Sequence, residues 1–126
     1  MKFTLTFNEN QAKVLMSALE FYSRVRMGQF HVISDEFRFE HEFNQDNARF
    51  YLDRLREMIF PELESNEYYG IYNDIVGPGQ EAWDIHQVIR HARAWKRHPE
   101  GGWTVDFNEP MKTGHEPLPE ITIEDD

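Results

Sequence analysis

QEAWDIHQVIRHARAWKR, residues 80–97, is the stretch that decides the fold, because it predicts one long helix with two different faces. Four of its positions fall within about 60° of one another at about 100° per residue and form a basic stripe: His86, Arg90, Arg93 and Arg97. A separate arc carries the apolar side chains that such a helix buries: Ala82, Ile85, Val88, Ile89, Ala92 and Trp95. A basic stripe beside a buried face suits a small anionic partner. The alternative is a solvated face that neutralises nearby Glu and Asp side chains.

The positive charge is local in an otherwise acidic chain. Four of the 13 Lys and Arg residues lie within residues 90–97, although the formal net charge is -10. Residues 57–84 carry seven acidic side chains and no Lys or Arg, and residues 99–126 carry eight acids with Lys112 as the one cation. Because counterion release needs an extended basic surface, this balance argues against binding to nucleic-acid polymers. The same acidity is compatible with mimicry of a duplex.

Length and composition predict a single domain, 1–126, with an acidic tail at 120–126. A chain of 126 residues can bury roughly two-thirds of its unfolded surface without disulfides or metals. The absence of cysteine excludes a disulfide scaffold, a thiolate nucleophile and a Cys-ligated zinc site, and fits a reducing cytosol. The first residues alternate rather than forming a leader, and no stretch approaches the ~18 apolar residues of a membrane span. We therefore expect a soluble protein without a membrane segment.

Apolar periodicity predicts three helices, and Asn8 with Gln11 has the spacing of a capping box at the start of the first helix. The predicted helices cover residues 9–27, 47–60 and 80–97. Alternation of apolar and polar residues predicts short strands. These cover residues 2–7, 103–107 and 121–123. Residues 34–45 have no clear period and are predicted to form a loop. The expected fold class is α+β, with about three helices packed against a small antiparallel sheet.

No arrangement of residues predicts catalysis, a cofactor or a metal site. The chain lacks a Gly-x-Ser-x-Gly nucleophile turn and a Walker-type phosphate loop, and its acids are too numerous for any pair to be singled out. His86 and His91 are five residues apart, which does not match the spacing of paired zinc ligands on a helix. A metal-dependent phosphodiesterase or nucleotidase that uses these two histidines is the enzymatic alternative.

The arginines of the first helix are candidates for binding. Arg24 lies opposite the apolar stripe of that helix, whereas Arg26 lies near it and needs an acceptor, since an unpaired buried charge is costly. An internal carboxylate is the expected partner of Arg26, although a ligand phosphate would satisfy either arginine through bidentate hydrogen bonds. Trp83 projects beside the basic stripe and Trp103 lies just beyond it. Each indole belongs either to the core or to a surface on which a purine stacks.

Several motifs of the chain resemble those of a widespread group of small bacteriophage proteins. They are Tyr22-Ser23-Arg24 with Met27-Gly28-Gln29-Phe30, Asp84-Ile85-His86-Gln87-Val88-Ile89-Arg90, Asn108-Glu109-Pro110-Met111-Lys112, and Glu116-Pro117-Leu118-Pro119. The chain resembles in particular the Thoeris anti-defence family, whose members sequester cyclic ADP-ribose isomers made by a bacterial TIR-domain enzyme. The resemblance covers both ends of the chain but not residues 34–80. It implies a non-catalytic sponge in the cytoplasm of the bacterial host, without a cofactor, that forms a dimer or higher homo-oligomer.

The basic stripe, the aromatic side chains near it and the resemblance together predict a set of ligand-binding residues. They are Arg24, Gln29, His86, Arg90, Trp103, Phe107, Asn108 and Lys112. Arg24 matches the arginine of the Tyr-Ser-Arg motif and is the leading phosphate contact, and Arg90 and Lys112 complete the expected clamp. Lys112 stands where similar proteins often carry arginine, and Arg26 stands where a small residue is more usual. Both departures bear on ligand preference.

The remaining candidates are assigned to the nucleoside part of the ligand. Trp103 or Phe107 is the expected stacking surface for adenine, and Asn108 or Asp106 is the expected acceptor for the ribose hydroxyls. Nanomolar binding, on the order of -12 kcal/mol, requires an enclosed pocket, which two protomers together would provide.

A second hypothesis treats the chain as an acidic phage protein that inhibits a host defence or transcription protein by direct binding. Its carboxylates would then stand in for phosphates, and association would weaken with salt. The acid clusters at residues 62–67 and 120–126 would matter under this hypothesis, whereas Arg24 would not.

Overall fold

The computed structural model describes residues 1–126 as an all-helical chain with no β-strand. Its elements are α1 Glu9–Arg26, α2 His31–Phe37, α3 Gln45–Ile59, a first 3₁₀ turn Asp74–Val76, α4 Pro78–Arg97 and a second 3₁₀ turn Val105–Phe107. The long helices α1 and α4 pack against each other, and α2 and α3 form a smaller layer at the C-terminal end of α1. None of the four helices combines the length and the apolar character needed to cross a membrane.

Helix α1 begins where the sequence predicts it. The Asn8 side chain accepts from Gln11 N at 2.9 Å, and the Gln11 side chain accepts from Asn8 N at 3.0 Å, which completes the capping box. Gly28 follows the helix with a φ of 88°, a left-handed conformation that glycine adopts without a Cβ penalty. The predicted capping box and the first predicted helix are therefore confirmed.

A glycine lets α1 and α4 approach closely. Ser23 Oγ donates to Gly79 O at 2.6 Å, and a Cβ at Gly79 would lie 2.8 Å from both Arg26 Cβ and Val76 Cγ1. The apolar core lies along this contact, and its buried members are Met27, Phe30, Val76, Ala82, Val88 and Ile89. Three of the six residues of the apolar arc predicted for the helix over 80–97 are among them. Ile85 and Ala92 are half-buried and Trp95 is exposed, so only part of that arc faces the core.

The predicted α+β class is wrong, because none of the three expected strands has a partner. Residues 2–7 run outside regular secondary structure with every side chain exposed, and residues 121–123 are exposed as well. Alternation is a local signal, whereas a strand is stabilised only when a neighbouring strand supplies its hydrogen bonds and its side-chain pairs. No such neighbour is available to either segment within this chain.

Residues 103–107 fail as a strand for a different reason. The carbonyls that a ladder would use are taken by α4 side chains: Trp95 Nε1 donates to Phe107 O, and His91 Nδ1 lies at hydrogen-bond distance from Asp106 O, both at 3.1 Å. The Phe107 ring also packs edge-on against the Trp95 ring at 5.4 Å between centroids. These contacts favour the compact second 3₁₀ turn over an extended strand.

The smaller layer differs from the prediction at one element. Residues 34–45 were expected to form a loop, but the first part of this stretch belongs to α2. Helix α3 begins after Asn44, whose side chain accepts from Asn47 N at 2.9 Å, so the second predicted helix is confirmed. The Phe60 ring then meets the Phe30 ring edge-on at 5.9 Å, which joins the end of α3 to the start of α2, just after α1.

Residues 106–116, here called the strap, lie along α4 and are held by its polar side chains. The Gln87 side chain donates to Met111 O at 3.1 Å and accepts from Met111 N at 3.2 Å. The buried Asp84 carboxylate accepts from Thr113 N at 2.8 Å, from Thr113 Oγ1 at 2.7 Å and from Gly114 N at 2.9 Å. Side chains of α4 therefore replace the missing sheet as the anchor of this segment.

Candidate functional site

The outer half of the basic stripe pairs with the start of α1. Arg93 Nη2 and Arg97 Nη2 each lie 2.7 Å from Glu9 Oε1. The hydrogen bond from Arg93 lowers the pKa of Glu9, and the positive charges of Arg93, Arg97 and Lys13 act in the same direction. For these two arginines the structure supports the alternative stated above, in which the stripe neutralises a nearby carboxylate.

Arg24 lies in a polar cluster at the seam between α1 and α4. Its Nε and Nη2 atoms donate to Glu20 Oε1 at 3.1 and 3.0 Å, and its Nη1 donates to Gln29 Oε1 at 2.9 Å. The guanidinium carbon lies 5.5 Å from the centre of the Trp83 ring, within cation–π distance. The structure thus brings two predicted site residues, Arg24 and Gln29, into direct contact. It also gives the guanidinium an internal carboxylate, which a ligand phosphate would have to displace.

His86 is the buried centre of the same cluster. The residue is 1% exposed, its ring lies 4.9 Å from the Trp83 ring, and its Nε2 lies 3.7 Å from Glu20 Oε2. Burial lowers the pKa of His86 below its ordinary value, and the Arg90 and Arg24 charges add to this effect. The Glu20 carboxylate and the Trp83 backbone oppose the pKa decrease without reversing it. The ring is therefore neutral at neutral pH.

We expect His86 to make the protein less stable as the pH falls below about 6.5, because the unfolded chain binds a proton that the folded chain resists. Urea unfolding at about pH 7.5 and about pH 5.5 should show this loss, and His86→Gln should reduce it. Glu9 does not interfere, because its contribution is lost only below the ordinary pKa of 4.5. His98 is exposed, so His98→Gln is the control and should leave the loss of stability at low pH unchanged. If His98→Gln reduced this loss as much as His86→Gln, the loss could not be assigned to His86.

Three side-chain nitrogens in this region are buried without a well-formed hydrogen bond: Trp83 Nε1, His86 Nδ1 and Arg90 Nε. The Trp83 backbone still lies close enough to the His86 ring to act on its pKa. These residues stand at i, i+3 and i+7 on α4 and so share one face of the helix; they are called the unpaired row below. Arg90 Nε lies 3.3 Å from Asp106 Oδ1, which is ion-pair distance without hydrogen-bond geometry. An unsatisfied buried polar group costs about 1–3 kcal/mol. The unpaired row therefore marks a place where polar partners are missing.

The expected clamp of three cations is not formed. Arg24 is paired with Glu20, Arg90 faces Asp106, and Lys112 Nζ donates to Gly114 O at 2.8 Å. Each cation therefore has its own acceptor within the chain. Lys112 belongs to the strap, and its recorded contact binds it there rather than to Arg24. The three cations therefore do not converge on one site in this structure, and their role in binding phosphate stays a prediction.

The predicted nucleoside contacts are separated from the seam. Trp103 is fully exposed, Asn108 is exposed, and Phe107 packs on Trp95 near the C-terminal end of α4. Trp83 is instead the indole that lies beside Arg24. The sequence indicated that an indole lies beside the basic stripe but could not show which of the two contacts an arginine.

Two further arginines show what sequence reasoning missed. Arg26 Nε donates to the carbonyl of Val76 at 3.0 Å, so its expected carboxylate partner is wrong. Arg56, which the sequence analysis did not single out, is 5% exposed, and its Nη1 donates to Glu64 O at 3.2 Å and to Glu67 O at 2.7 Å. The sequence does show an arginine near the end of an amphipathic helix that a long connector follows, and this pattern could have suggested that Arg56 binds the connector. Its acceptors are backbone carbonyls, which every sequence contains.

The histidines of α4 do not form a joint site. No group of three or more His, Asp or Glu side chains is close enough together to hold a metal ion. His86 faces the cluster with Glu20, whereas His91 Nδ1 contacts the backbone of Asp106 in the second 3₁₀ turn. His86 and His91, which the enzymatic alternative would use together, therefore face two different parts of the molecule.

No protein-family model matches this chain, and none of the curated proteins or solved structures compared with it is significantly similar. The helix arrangement, the polar cluster and the unpaired row are therefore the observations from which a function can be proposed.

Proposed function

We propose that the protein is a non-catalytic phage anti-defence protein that sequesters a doubly anionic nucleotide of the cyclic ADP-ribose type. One observation supports the proposal above the others: the unpaired row of Trp83, His86 and Arg90 shares the α1–α4 seam with the Arg24 guanidinium. A nucleotide carries phosphate oxygens and ring or hydroxyl groups that pair with such nitrogens, whereas an apolar ligand would leave them unpaired. Arg24, His86 and Arg90 also belong to the motifs that carry the resemblance.

Binding would proceed by exchange of partners. The Glu20 and Asp106 side chains that accompany Arg24 and Arg90 are 37% and 42% exposed, so both carboxylates have access to water. Part-exposed ion pairs are weak, which keeps the cost of separating them small. Ligand phosphates would then bind the two guanidinium groups bidentately. The free protein is thus a self-paired form, and its affinity depends on how readily the two carboxylates leave.

The base would stack on Trp83 in this arrangement. The Trp83 ring already lies beneath the Arg24 guanidinium and beside the His86 ring. A purine that enters with its phosphates on Arg24 would meet this indole first. Trp103 and Phe107, the stacking surface expected from the sequence, lie elsewhere and are not part of the proposed site.

Calorimetry with the cyclic ADP-ribose isomers tests the function. We expect one isomer to bind with a dissociation constant in the nanomolar range, on the order of -12 kcal/mol, because a sponge must outcompete a host sensor. Heat denaturation of the complex should return the nucleotide intact, which separates sequestration from hydrolysis. Failure of every isomer to bind more tightly than about 10 µM, roughly -7 kcal/mol, would exclude this function.

Two variants with opposite expected effects test the exchange of partners. Arg24→Ala should weaken binding about 100-fold, since a charge-assisted contact to phosphate is lost. Glu20→Gln should strengthen binding by up to about tenfold, because it removes the competing charge. Arg54→Ala is the matched control, since Arg54 forms an exposed ion pair with Glu57 on α3 and should not affect affinity. Weaker binding by Glu20→Gln would contradict the exchange step.

The second candidate function is inhibition of a host protein by direct binding, and the exposed acidic tail favours it. Every side chain of residues 120–126 is exposed, and the ion pair between Asp125 and Lys96 at 2.8 Å is the one recorded there. An acidic segment of this kind suits a basic protein surface. Pull-downs from host lysate should then lose a specific partner when residues 120–126 are deleted and keep it in the Arg24→Ala variant. The opposite pattern would favour the nucleotide.

A further inference from the structure

The chain exposes more surface than a compact monomer of its mass. Its accessible surface is 9501 Å², whereas a folded monomer of 15.1 kDa is expected to expose about 7,100 Å². The surplus is about 2,400 Å² per chain, or about 4,800 Å² for two chains. Obligate homodimers bury about 2,000–5,000 Å² in total. A second copy of this chain is therefore a partner of the right size.

Part of this surplus comes from residues 1–7, here called the arm. The arm precedes the capping box of α1 and lies outside regular secondary structure. Phe3 is 85% exposed and Leu5 is 74% exposed, and they alternate with Thr4 and Thr6. Large apolar side chains in strict alternation have little reason to remain in water, so the arm has the composition of a segment that docks.

An apolar groove of matching character lies between α2 and α3. Its volume is 510 Å³, and its lining includes Ile33, Phe37, Phe43, Tyr51, Leu52 and Leu55. The groove is open to solvent, and no segment of the chain fills it. An extended peptide with apolar anchors at every second residue is a suitable occupant for such a groove.

The arm and the groove lie on opposite sides of α1 in the chain, because the arm precedes this helix and α2 follows it. Helices α2 and α3 join the molecule at the C-terminal end of α1, where the Phe30 and Phe60 rings meet. The 18 residues of α1 span about 27 Å, and the seven residues of the arm reach about 23 Å at most. The arm starts at the opposite end of α1, so a contact within one chain would need a fully extended arm that runs back along most of this helix. A second copy removes this restriction.

Charge also favours this pairing. The single charged side chain of residues 2–7 is Lys2, whereas residues 35–46, which run through the groove wall, carry five acids and one arginine. The arm would therefore bring a positive charge to an acidic rim while its apolar residues enter the groove.

We propose that two copies of this chain exchange arms, each docking residues 1–7 into the α2–α3 groove of the other. The contact is reciprocal, so it closes as a two-fold symmetric dimer and leaves no free arm or groove. This assembly goes beyond the proposed nucleotide function and forms without nucleotide. If the protein proved to be a monomer, the nucleotide-binding experiments above would keep their expected results.

Analytical ultracentrifugation of the full chain tests the exchange. We expect a dimer at micromolar concentration, and both Leu5→Asp in the arm and Tyr51→Glu in the groove should weaken the dimer about 100-fold. Both residues are exposed in the monomer, so neither variant should unfold it. Trp103→Asp, which is exposed but lies in neither surface, should remain dimeric. A monomeric wild type at about 100 µM, or a dimeric Leu5→Asp variant, would overturn the proposal.

Mixing experiments identify the contact itself. The Tyr51→Glu copy has an intact arm and the Leu5→Asp copy has an intact groove, so an equimolar mixture should recover part of the dimer through one remaining contact. Because the chain has no cysteine, Leu5→Cys copies mixed with Tyr51→Cys copies should form an intermolecular disulfide. Cross-linking of Leu5→Cys copies with one another, without cross-linking in the mixture, would show arm-to-arm pairing and overturn the groove assignment.

Discussion

Replacing Asp84 by alanine is expected to lower the free energy of unfolding by about 3 kcal/mol and to release the strap from α4. The buried Asp84 carboxylate accepts three hydrogen bonds, two from Thr113 and one from Gly114, all between 2.7 and 2.9 Å. Hydrogen bonds to a charged group are worth about 1.5–3 kcal/mol each, and they do not add fully when they share one acceptor group. Alanine also leaves the Thr113 and Gly114 amides unpaired in a buried place, whereas the Thr113 hydroxyl can still donate to Gln80 O.

Urea unfolding measures the global effect, and hydrogen exchange of the Thr113 and Gly114 amides measures the local one. The free energy of unfolding of Asp84→Asn should lie between those of the wild type and Asp84→Ala. The amide keeps one acceptor oxygen but presents a donor to the other partner. The control is Asp125→Ala, which removes an exposed pair with Lys96 and should cost no more than about 0.5 kcal/mol. Equal costs for the two alanine variants would show that the strap does not depend on Asp84.

Replacing Arg56 by alanine is the second change with a large expected effect, about 2–3 kcal/mol. Its buried guanidinium donates to the carbonyls of Glu64 and Glu67, which fixes the connector between α3 and the first 3₁₀ turn. The connector in turn contacts α1, since Tyr69 N donates to Met27 O at 2.8 Å. Alanine would remove the charge-assisted bonds and leave a cavity, so both stability and the order of the connector should decrease.

Limited chymotrypsin digestion reports on the connector directly. Tyr68 and Tyr72 are exposed there, and we expect faster cleavage next to them in Arg56→Ala than in the wild type. Arg54→Ala, on the same helix, removes an exposed ion pair with Glu57 at 3.1 Å and should change stability by less than about 0.5 kcal/mol. Unchanged cleavage together with unchanged unfolding in Arg56→Ala would show that Arg56 does not hold the connector.

The candidate site could be predicted only in part. Arg24, Gln29, His86 and Arg90 lie on or beside two of the three helices that periodicity predicts, and the structure places them around one seam or its edge. Trp103 and Phe107 were placed on a strand that does not form. Asn108 and Lys112 belong to the strap, whose path along α4 depends on Asp84 and Gln87. A helix restricts each side chain to a known face, whereas an irregular segment acquires its position from distant partners.

The sequence by itself determined the local features of this protein. The start of α1 at its capping box, the end of α1 at Gly28 and the two faces of α4 all depend on residues within about four positions of one another, which sequence spacing records directly. Only the tertiary structure decided that the alternating segments have no strand to pair with and that Glu9, 84 residues from Arg93, neutralises the outer part of the basic stripe. Such pairings depend on which surfaces the packing of α1 on α4 brings together, and any of the many acids in the chain could have filled the same role.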